Sequence, residues 1–168
     1  MLAAIALAVY IPMLIEAIVA ARHERAQRAR GGVEPLHDVF RVMRVAYPAA
    51  FGVMIAEGVI RGGPVPAVFA AGVAVFVLAK ALKWWAIAAL GAAWTFRVIV
   101  VPGDALVARG PYRALRHPNY LAVCGELIGA ACMTGAAIAG PLATGLFCAL
   151  MLRRIRVEEH ALDTSRTS

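Results

Sequence analysis

Long apolar segments separated by short polar ones dominate the chain. Met1 to Ala20 contains a single charged residue, Glu16. A second apolar segment covers Val45 to Ile60 with Glu57 inside it, and a third runs from Pro64 to about Ala79. Each segment is about as long as one membrane-spanning helix. The pattern therefore predicts three membrane helices in the first part of the chain.

The last apolar segment is too long for one helix. From Leu121 to Leu152 the only charged residue is Glu126, and a Gly140-Pro141 step lies within the segment. Since Pro interrupts a helix, we predict a hairpin of two short or tilted helices. The five predicted spans cover about 1–21, 45–60, 64–86, 118–137 and 139–153.

Basic residues are unevenly distributed among the segments that connect the spans. Six lie after the first span, six after the third and four after the fifth, and Arg61 alone lies on the other face; together they are all 17 Lys and Arg residues. Short cytoplasmic connections are enriched in Lys and Arg, so the distribution predicts an outside N-terminus and a cytoplasmic C-terminus. A four-span or six-span arrangement would break this alternation.

The composition favours a membrane protein over a nucleic-acid-binding one. Hydrophobic residues make up 62% of the chain and charged residues 16%, against about 45–50% and about 25% in soluble domains. The net charge of +7 would suit nucleic acid, but such proteins carry basic residues on a polar surface, and here they flank apolar segments. We predict one all-α integral membrane domain over residues 1–168, with no nucleic-acid partner.

Local signals define the connections. The Gly31-Gly32 step should end the helical extension of the first span, because glycine commonly terminates helices. The third helix should continue through Lys80, Lys83 and the tryptophans that follow, residue types that mark the lipid–water interface, and end near Gly91. The segment 95–104 combines β-branched residues with a Pro-Gly turn. It is predicted to be a loop or short hairpin over the cytoplasmic ends of the helices.

The segment 110–120, which leads into the fourth span, is the first that could carry chemistry. Pro118 suits the first turn of a helix, where its missing N–H costs nothing. His117 then lies at the start of the helix, and Tyr120 lies about one turn on and on a similar face. The free N–H groups of a helix start also favour an anion. The alternative is a simple helix start whose Arg neighbours bind lipid phosphates.

A second polar segment leaves the fifth span on the same predicted side. It begins at Arg153 and Arg154 and continues to Glu158, Glu159 and His160. Arg154 and Glu158 are four residues apart and can pair along a helix, while Glu159 points elsewhere. Alone, this segment is also typical of a solvated helix end. A tight hairpin would bring the two segments together around a pocket with apolar walls and a charged rim.

These two segments together resemble a known family. Arg116-His117-Pro118-Asn119-Tyr120, followed by an apolar hairpin and then by Arg154 with Glu158-Glu159, is similar to the signature of the isoprenylcysteine carboxyl methyltransferase family. Related phospholipid methyltransferases share much of it. The resemblance is firmest over 95–162 and extends more loosely over most of the chain. The short chain resembles the small bacterial branch, which implies a bacterial plasma membrane.

The resemblance implies transfer of a methyl group from S-adenosylmethionine to a lipophilic acceptor at the cytoplasmic face. It also implies that His117, Tyr120, Glu158 and Glu159 line the cofactor pocket and that Arg154 lies beside it. Our predicted cofactor-binding residues are Arg116, His117, Tyr120, Arg154 and Glu158. Glu159 and Arg153 are the predicted catalytic residues on the acceptor side, and no metal is predicted.

The residue types agree with these roles. Carboxylates suit the ammonium and ribose hydroxyls of the cofactor, and an Arg or a helix start suits its α-carboxylate. Methyl transfer is a direct displacement in which alignment is worth about 7–11 kcal/mol. A carboxylate acceptor needs no base, whereas a phenol or enol must first lose a proton, for which Glu159 or His117 would serve. The resemblance favours an alkylated phenol or pyrone, or an isoprenoid carboxylate.

Two other functions stay open on the sequence. One is a phospholipid N-methyltransferase. The other is a non-catalytic transporter or assembly subunit, which Glu16, Glu57 and Glu126 favour because ionisable residues at membrane depth are often functional. Glu16 and Glu57 lie near predicted span ends, where water is available, which weakens that case. Twelve basic residues, six after the first span and six after the third, are expected largely to bind anionic lipid. The three cysteines are expected to be small buried apolar residues.

Overall fold

Five α-helices make up the part of the chain that the computed structural model describes, which is 1–35, 39–104 and 107–167, with side chains only up to 159 in the last helix. They are α1 Leu2–Ala29, α2 Phe40–Arg61, α3 Pro66–Leu90, α4 Pro118–Thr134 and α5 Ala139–Thr167. Short 3-10 turns cover Gly91–Ala93 and Gly110–Arg113. The predicted all-α fold is confirmed. His37 and the side chain of His160 lie outside the described residues.

Glycine and proline mark several helix ends; the end of α1 agrees with the sequence prediction, but α4 stops at Thr134, earlier than the predicted 137, and the Gly140-Pro141 step lies within the first turn of α5. α1 ends at Ala29 just before Gly31, whose φ is 82°, and α4 ends before Gly135, whose φ is 72°. Such positive φ values favour glycine, which has no Cβ. Pro118 occupies the first position of α4. α1 and α5 continue as helices well beyond the predicted spans, because their polar continuations are rich in good helix formers such as Ala, Arg and Glu.

Among the residues that the structure describes, three helices are long and apolar enough to cross a membrane, namely α1, α2 and α3 together with the turn to Ala93. Their outer faces are apolar: on α1, Leu7 and Leu14 are 59% and 63% exposed, whereas Glu16 is fully buried. This inversion is expected where lipid replaces water. α4 has 17 residues, or about 25 Å, shorter than the roughly 30 Å hydrocarbon core. That α4 and α5 also cross the membrane, and that the N-terminus lies outside and the C-terminus in the cytoplasm, stay predictions.

Glycine residues bring α3 and α4 into close contact. A Cβ added to Gly129 would lie 2.8 Å from the backbone N of Phe76, and one added to Gly72 would lie 2.8 Å from the backbone N of Met133. A Cβ on Gly125 would lie 2.8 Å from the Ala79 Cβ. Small residues allow such approach between membrane helices. The two backbones therefore pack almost directly against each other.

The larger apolar cluster lies between α2, α4 and α5 and includes side chains of α1 and α3. It is centred on Phe51 and Met54 of α2 and Leu127 of α4, all at most 1% exposed. Tyr47 of α2 packs edge-on against Phe51 with ring centroids 5.0 Å apart and lies 5.1 Å from the ring of Phe147 of α5. α2 thus contacts both α4 and α5 along the core.

A buried ionic network joins three helices and is made of Glu16 (α1), Lys80 and Lys83 (α3) and Glu126 (α4). Lys80 Nζ lies 2.9 Å from Glu16 and 3.1 Å from Glu126, and Lys83 Nζ lies 2.7 Å and 3.3 Å from the same carboxylates. The Tyr47 hydroxyl donates to Glu126. Two acids and two bases balance in charge, as buried charges require.

This network overturns two expectations. Lys83 is only 2% exposed and Lys80 only partly exposed, so neither is the interfacial lipid-binding residue that the nearby tryptophans suggested. Glu16 does not lie in a water-accessible span end. The helix extends past it to Ala29, and Lys80 and Lys83 of α3 contact its carboxylate. Hydropathy alone locates a charge along a helix but does not identify the face that carries it.

Glu57 at the end of α2 caps another helix. Its carboxylate accepts hydrogen bonds from the backbone N–H of Ile138 at 3.0 Å and of Ala139 at 2.6 Å, and it lies 3.6 Å from Arg61. A carboxylate at a helix start satisfies free donors and complements the helix dipole. Glu57 therefore ties α2 to the first turn of α5.

The segment after α3 pairs with the connection after α1. Val33 and Val100 form an antiparallel bridge, with N···O distances of 2.9 and 3.0 Å. Arg97 lies 2.6 Å from Glu34, and Arg30 lies 2.7 Å from Asp104. The segment predicted as a loop or short hairpin is thus partly extended, and it pairs with the connection after α1. Several of the twelve expected lipid-binding residues are therefore engaged within the protein.

Candidate functional site

The start of α4 meets the C-terminal part of α5, and this contact brings the two predicted polar segments together. The Tyr120 hydroxyl donates to Glu158 at 2.8 Å, and His117 Nε2 lies 3.3 Å from Glu159. The His117 and Tyr120 rings are 5.6 Å apart. All four side chains are partly buried. The predicted convergence of the imidazole, the phenol and the acidic pair is present.

The local sequence explains why His117 and Tyr120 project together. Pro118 is buried at the first position of α4, and His117 immediately precedes it with φ −131° and ψ 62°. No side chain caps the helix start, so the first-turn N–H groups are available to an anion. Tyr120 follows within the first turn, on the side that faces α5.

Arg154 is held by the segment after α3. Its side chain is buried, its guanidinium donates to the Phe96 carbonyl and lies 3.9 Å from the sulfur of Met43, and Nε has no hydrogen-bond partner. An ion pair with Glu158 is absent from the described contacts. The guanidinium instead contacts the Phe96 carbonyl and the hydroxyl of Tyr120, which itself donates to Glu158, so Arg154 lies beside the cluster.

The two remaining predicted residues lie at the rim. Arg116 is largely exposed, with 89% of its side chain accessible, and lies 3.7 Å from Glu159. Arg153 is exposed, and the described contacts do not bring it to the acidic pair. Arg116 therefore joins the cluster loosely, whereas the assignment of Arg153 to the acceptor side stays a prediction.

Sequence reasoning missed the layer that supports the start of α4. Trp94 is 3% exposed, its indole N–H donates to Asn119 Oδ1 at 3.4 Å, and its carbonyl lies 2.8 Å from His23 Nδ1. Asn119 lies inside the segment 110–120 that leads into α4, and its position in that segment was the signal from which its contact with Trp94 could have been expected. Tyr112 is a second phenol near the site, and burial together with the charge of Glu158 raises its pKa above the ordinary value.

These residues offer donors and acceptors for a zwitterionic ligand. Glu158 and Glu159 suit an ammonium group or hydroxyls, while Arg116 and the uncapped start of α4 suit a carboxylate. The buried Nε of Arg154 retains an unused donor. S-adenosylmethionine carries these groups on its amino-acid and ribose portions, so the residues present fit it. Further apolar side chains of α2, α4 and α5 lie behind the cluster.

A separate groove lies at the other end of α4. It has a volume of about 770 Å³ and runs between the start of α3 and the turn that joins α4 to α5. Its lining is almost entirely apolar, with Arg61 at its edge and Gly135 and Pro141 among the lining residues. None of the predicted site residues lies there. We therefore assign no part of the polar cluster's chemistry to this groove.

Comparison with known proteins identifies relatives of the chain. The model of the isoprenylcysteine carboxyl methyltransferase family matches residues 72–164. The chain is 30% identical over 149 residues to the uncharacterized protein YpbQ of Bacillus subtilis, covering 88% of each chain. It is 24% identical over 146 residues to an uncharacterized protein of Haemophilus influenzae, covering 86% of this chain and 85% of that one. No solved structure matches it.

Proposed function

Because this chain belongs to the isoprenylcysteine carboxyl methyltransferase family, a family of membrane methyltransferases, we propose that it methylates a lipophilic small molecule using S-adenosylmethionine. The acceptor atom is proposed to be oxygen, in an alkylated phenol, a pyrone or an isoprenoid carboxylate. The reaction is proposed to occur at the cytoplasmic face of a bacterial plasma membrane.

The observation that carries the proposal is the meeting of α4 with α5. The contacts of Tyr120 with Glu158 at 2.8 Å and of His117 with Glu159 at 3.3 Å unite residues far apart in the sequence. A solvated helix end and a simple capped helix start would not require this pairing. The family match covers both segments.

S-adenosylmethionine supplies an electrophilic methyl group when bound. Glu158 and Tyr120 would hold its ammonium or ribose hydroxyls, and Arg116 with the α4 start would hold its carboxylate. The apolar side chains of the neighbouring helices exclude water and receive the tail of the acceptor. Positioning is the main contribution expected of this site, because alignment of two reactants can be worth about 7–11 kcal/mol.

The need for a base depends on the acceptor. A carboxylate is already an adequate nucleophile, whereas a phenol or enol must release a proton first. His117 Nε2 and Glu159 Oε1 lie within hydrogen-bond reach of each other, so either atom would take that proton and share it with the other. A phenolic acceptor would therefore be sensitive to both residues, and a carboxylate acceptor much less so.

The described contacts argue against the transporter alternative. Glu16 and Glu126 pair with Lys80 and Lys83, and Glu57 caps α5. Each acidic residue that favoured a transport path therefore has a structural partner. N-methylation of a phospholipid amine is the alternative within the family's chemistry. Labelled methyl groups on nitrogen rather than oxygen in lipid extracts would favour it.

Binding of S-adenosylhomocysteine to the purified protein in detergent tests the proposal. We expect saturable binding by the parent and at least about tenfold weaker binding by His117→Ala and Glu158→Gln, since hydrogen bonds to charged groups contribute about 1.5–3 kcal/mol. Glu24→Gln is the matched control, because Glu24 contacts Arg97 outside the cluster. It should bind like the parent.

Two outcomes distinguish failure of the proposed reaction from failure of the residue assignment. Absence of saturable binding by the folded parent would refute the cofactor and with it the proposed reaction. Binding by the parent that survives both site substitutions unchanged would leave the reaction standing and show that the cofactor site has been assigned to the wrong residues.

A further inference from the structure

The buried ionic network holds α4 at its midpoint. Glu126 lies midway between Pro118 and Thr134, is 1% exposed, and contacts Lys80 at 3.1 Å and Lys83 at 3.3 Å. No step of methyl transfer uses these charges. A charged group at this depth is costly to bury, so its presence on the short helix that carries the site calls for an explanation.

The contact between α3 and α4 needs something to fix its register. Gly125 and Gly129 bring the α4 backbone against Ala79 and Phe76 of α3. Van der Waals packing dominates such contacts in lipid, and a glycine surface has no side chain to stop the helices from sliding or rotating. Glu126 adjoins Gly125 on this surface, so its two ion pairs supply the directional contact that glycine lacks.

The position of α4 determines the geometry of the candidate site. Tyr120 lies six residues before Glu126, or about 9 Å along the helix, and must reach Glu158 on α5. Between them, Cys124 of α4 lies 3.4 Å, sulfur to sulfur, from Cys148 of α5. A small shift or rotation of α4 would therefore disturb both the thiol contact and the Tyr120–Glu158 hydrogen bond.

We propose that Glu126 is a positioning residue, whose ion pairs with Lys80 and Lys83 fix the depth and rotation of α4. Through α4, Glu126 holds His117 and Tyr120 against the acidic pair of α5. The role in catalysis rests on the proposed function, but the position of α4 can be measured without it. Cross-linking of Cys124 to Cys148 measures that position directly, one turn from Tyr120.

Two charge-balanced double variants provide the test. Lys83→Met/Glu126→Gln removes the carboxylate of α4 and leaves Lys80 paired with Glu16 at 2.9 Å. Glu16→Gln/Lys80→Met also removes one acid and one base, but leaves Glu126 paired with Lys83. Both variants lose the same charges from the same network. Only the first removes the ion pairs between α4 and α3.

Two measurements are made on each variant in detergent. The first is the rate at which copper–phenanthroline, an oxidant that takes two electrons and two protons from the thiol pair, forms the Cys124–Cys148 disulfide. The second is the affinity for S-adenosylhomocysteine. The disulfide is identified in mass spectra by the loss of two hydrogens, and a variant in which Cys148 is replaced by Ser should not show that loss.

Loss of the ion pairs between α4 and α3 should change both the cross-linking rate and the ligand affinity. For Lys83→Met/Glu126→Gln we expect cross-linking at least about threefold slower, because a disulfide needs Cβ atoms about 3.5–4.5 Å apart. We expect ligand affinity at least about tenfold weaker, because a displaced α4 would no longer hold Tyr120 and His117 in place for hydrogen bonds to the ligand. Glu16→Gln/Lys80→Met should show a clearly smaller effect on both.

The proposal is overturned if the two double variants change both measurements equally, or if neither changes cross-linking. If the first variant cannot be purified, Glu126→Asp carries the test, because it keeps every charge and shortens one side chain by a methylene. It should slow cross-linking and weaken binding, and parent-like values in both would also overturn the proposal. A parent that cross-links but binds no S-adenosylhomocysteine would refute the proposed function alone.

Discussion

Replacement of Lys83 by Met should destabilise the protein far more than loss of a surface charge. The ammonium group lies 2.7 Å from Glu16 and 3.3 Å from Glu126, and the residue is 2% exposed. Met preserves much of the apolar volume of the side chain but leaves two buried carboxylates with one cation, Lys80. The variant therefore isolates the effect of charge imbalance from that of packing.

The expected loss follows from what remains in the network. Removal of one partner from a buried ion pair typically costs about 3–5 kcal/mol, because the other charge stays buried without compensation. Lys80 still reaches both carboxylates, at 2.9 and 3.1 Å, so we expect the lower end, about 3 kcal/mol. Adding Glu126→Gln restores the charge balance, and the double variant should be more stable than Lys83→Met alone.

Unfolding by increasing amounts of sodium dodecyl sulfate in mixed micelles, followed by tryptophan fluorescence, would measure the free energies of unfolding. Arg113→Met serves as the control, because Arg113 is exposed and such substitutions usually change stability by less than about 0.5 kcal/mol. The parent, the single variants and the double variant together form a cycle that yields the coupling between Lys83 and Glu126.

One result would refute this reasoning. If Lys83→Met unfolds within about 0.5 kcal/mol of the parent and the double variant is less stable than the single one, Lys83 is not held in a balanced buried network. It would then behave as the interfacial lysine that the neighbouring tryptophans suggest.

Three further predictions concern packing, capping and pH. Gly129→Ala should destabilise by about 1–3 kcal/mol, because its Cβ would overlap the α3 backbone; Gly145→Ala, where nothing lies within 4 Å, should be neutral or stabilising in the same unfolding assay. Glu57→Ala should cost about 0.5–2 kcal/mol through loss of the α5 cap, whereas Glu57→Gln, which keeps an acceptor oxygen, should cost less. Burial alone would raise the pKa of Glu34, but hydrogen bonds and charges of its Arg neighbours, Arg97 foremost, outweigh it and hold the pKa below 4.5. The resulting contribution to the free energy of unfolding is at most about 1 kcal/mol at this exposure; it is present above pH 4.5 and is lost as the pH falls through the lower pKa of the folded state. Glu34→Gln should remove that part of the acid sensitivity, and an unchanged dependence of unfolding on pH would contradict this prediction.

Local signals were sufficient for the start of α4. Proline at the first helical position fixes where the helix begins, and helical periodicity then places Tyr120 about one turn beyond His117. The observed ring separation of 5.6 Å agrees with that expectation. Glycine similarly predicted the ends of α1 and α3, because the conformational preference that stops a helix belongs to the residue itself.

Partners distant in the sequence could not be predicted in this way. Arg154 and Glu158 are four residues apart and can pair along a helix, but spacing alone did not indicate that the guanidinium would donate to the distant carbonyl of Phe96. The β-branched segment after α3 was expected to be extended or looped, but its own sequence did not indicate that Val100 would pair with Val33. Such contacts depend on how helices are arranged in space, which hydropathy and spacing do not specify.

The short length of α4 links the network to the chemistry proposed for the site. If α4 crosses the membrane as predicted, its 17 residues span about 25 Å, several ångströms less than the hydrocarbon core. Its polar first turn would then lie slightly below the headgroups, where an acceptor with an apolar tail can reach it laterally and a polar cofactor can reach it from water. A helix so placed has little surplus length with which to anchor itself at the interface. A buried ion pair at its midpoint, Glu126 with the lysines of α3, would supply that anchor from within the protein.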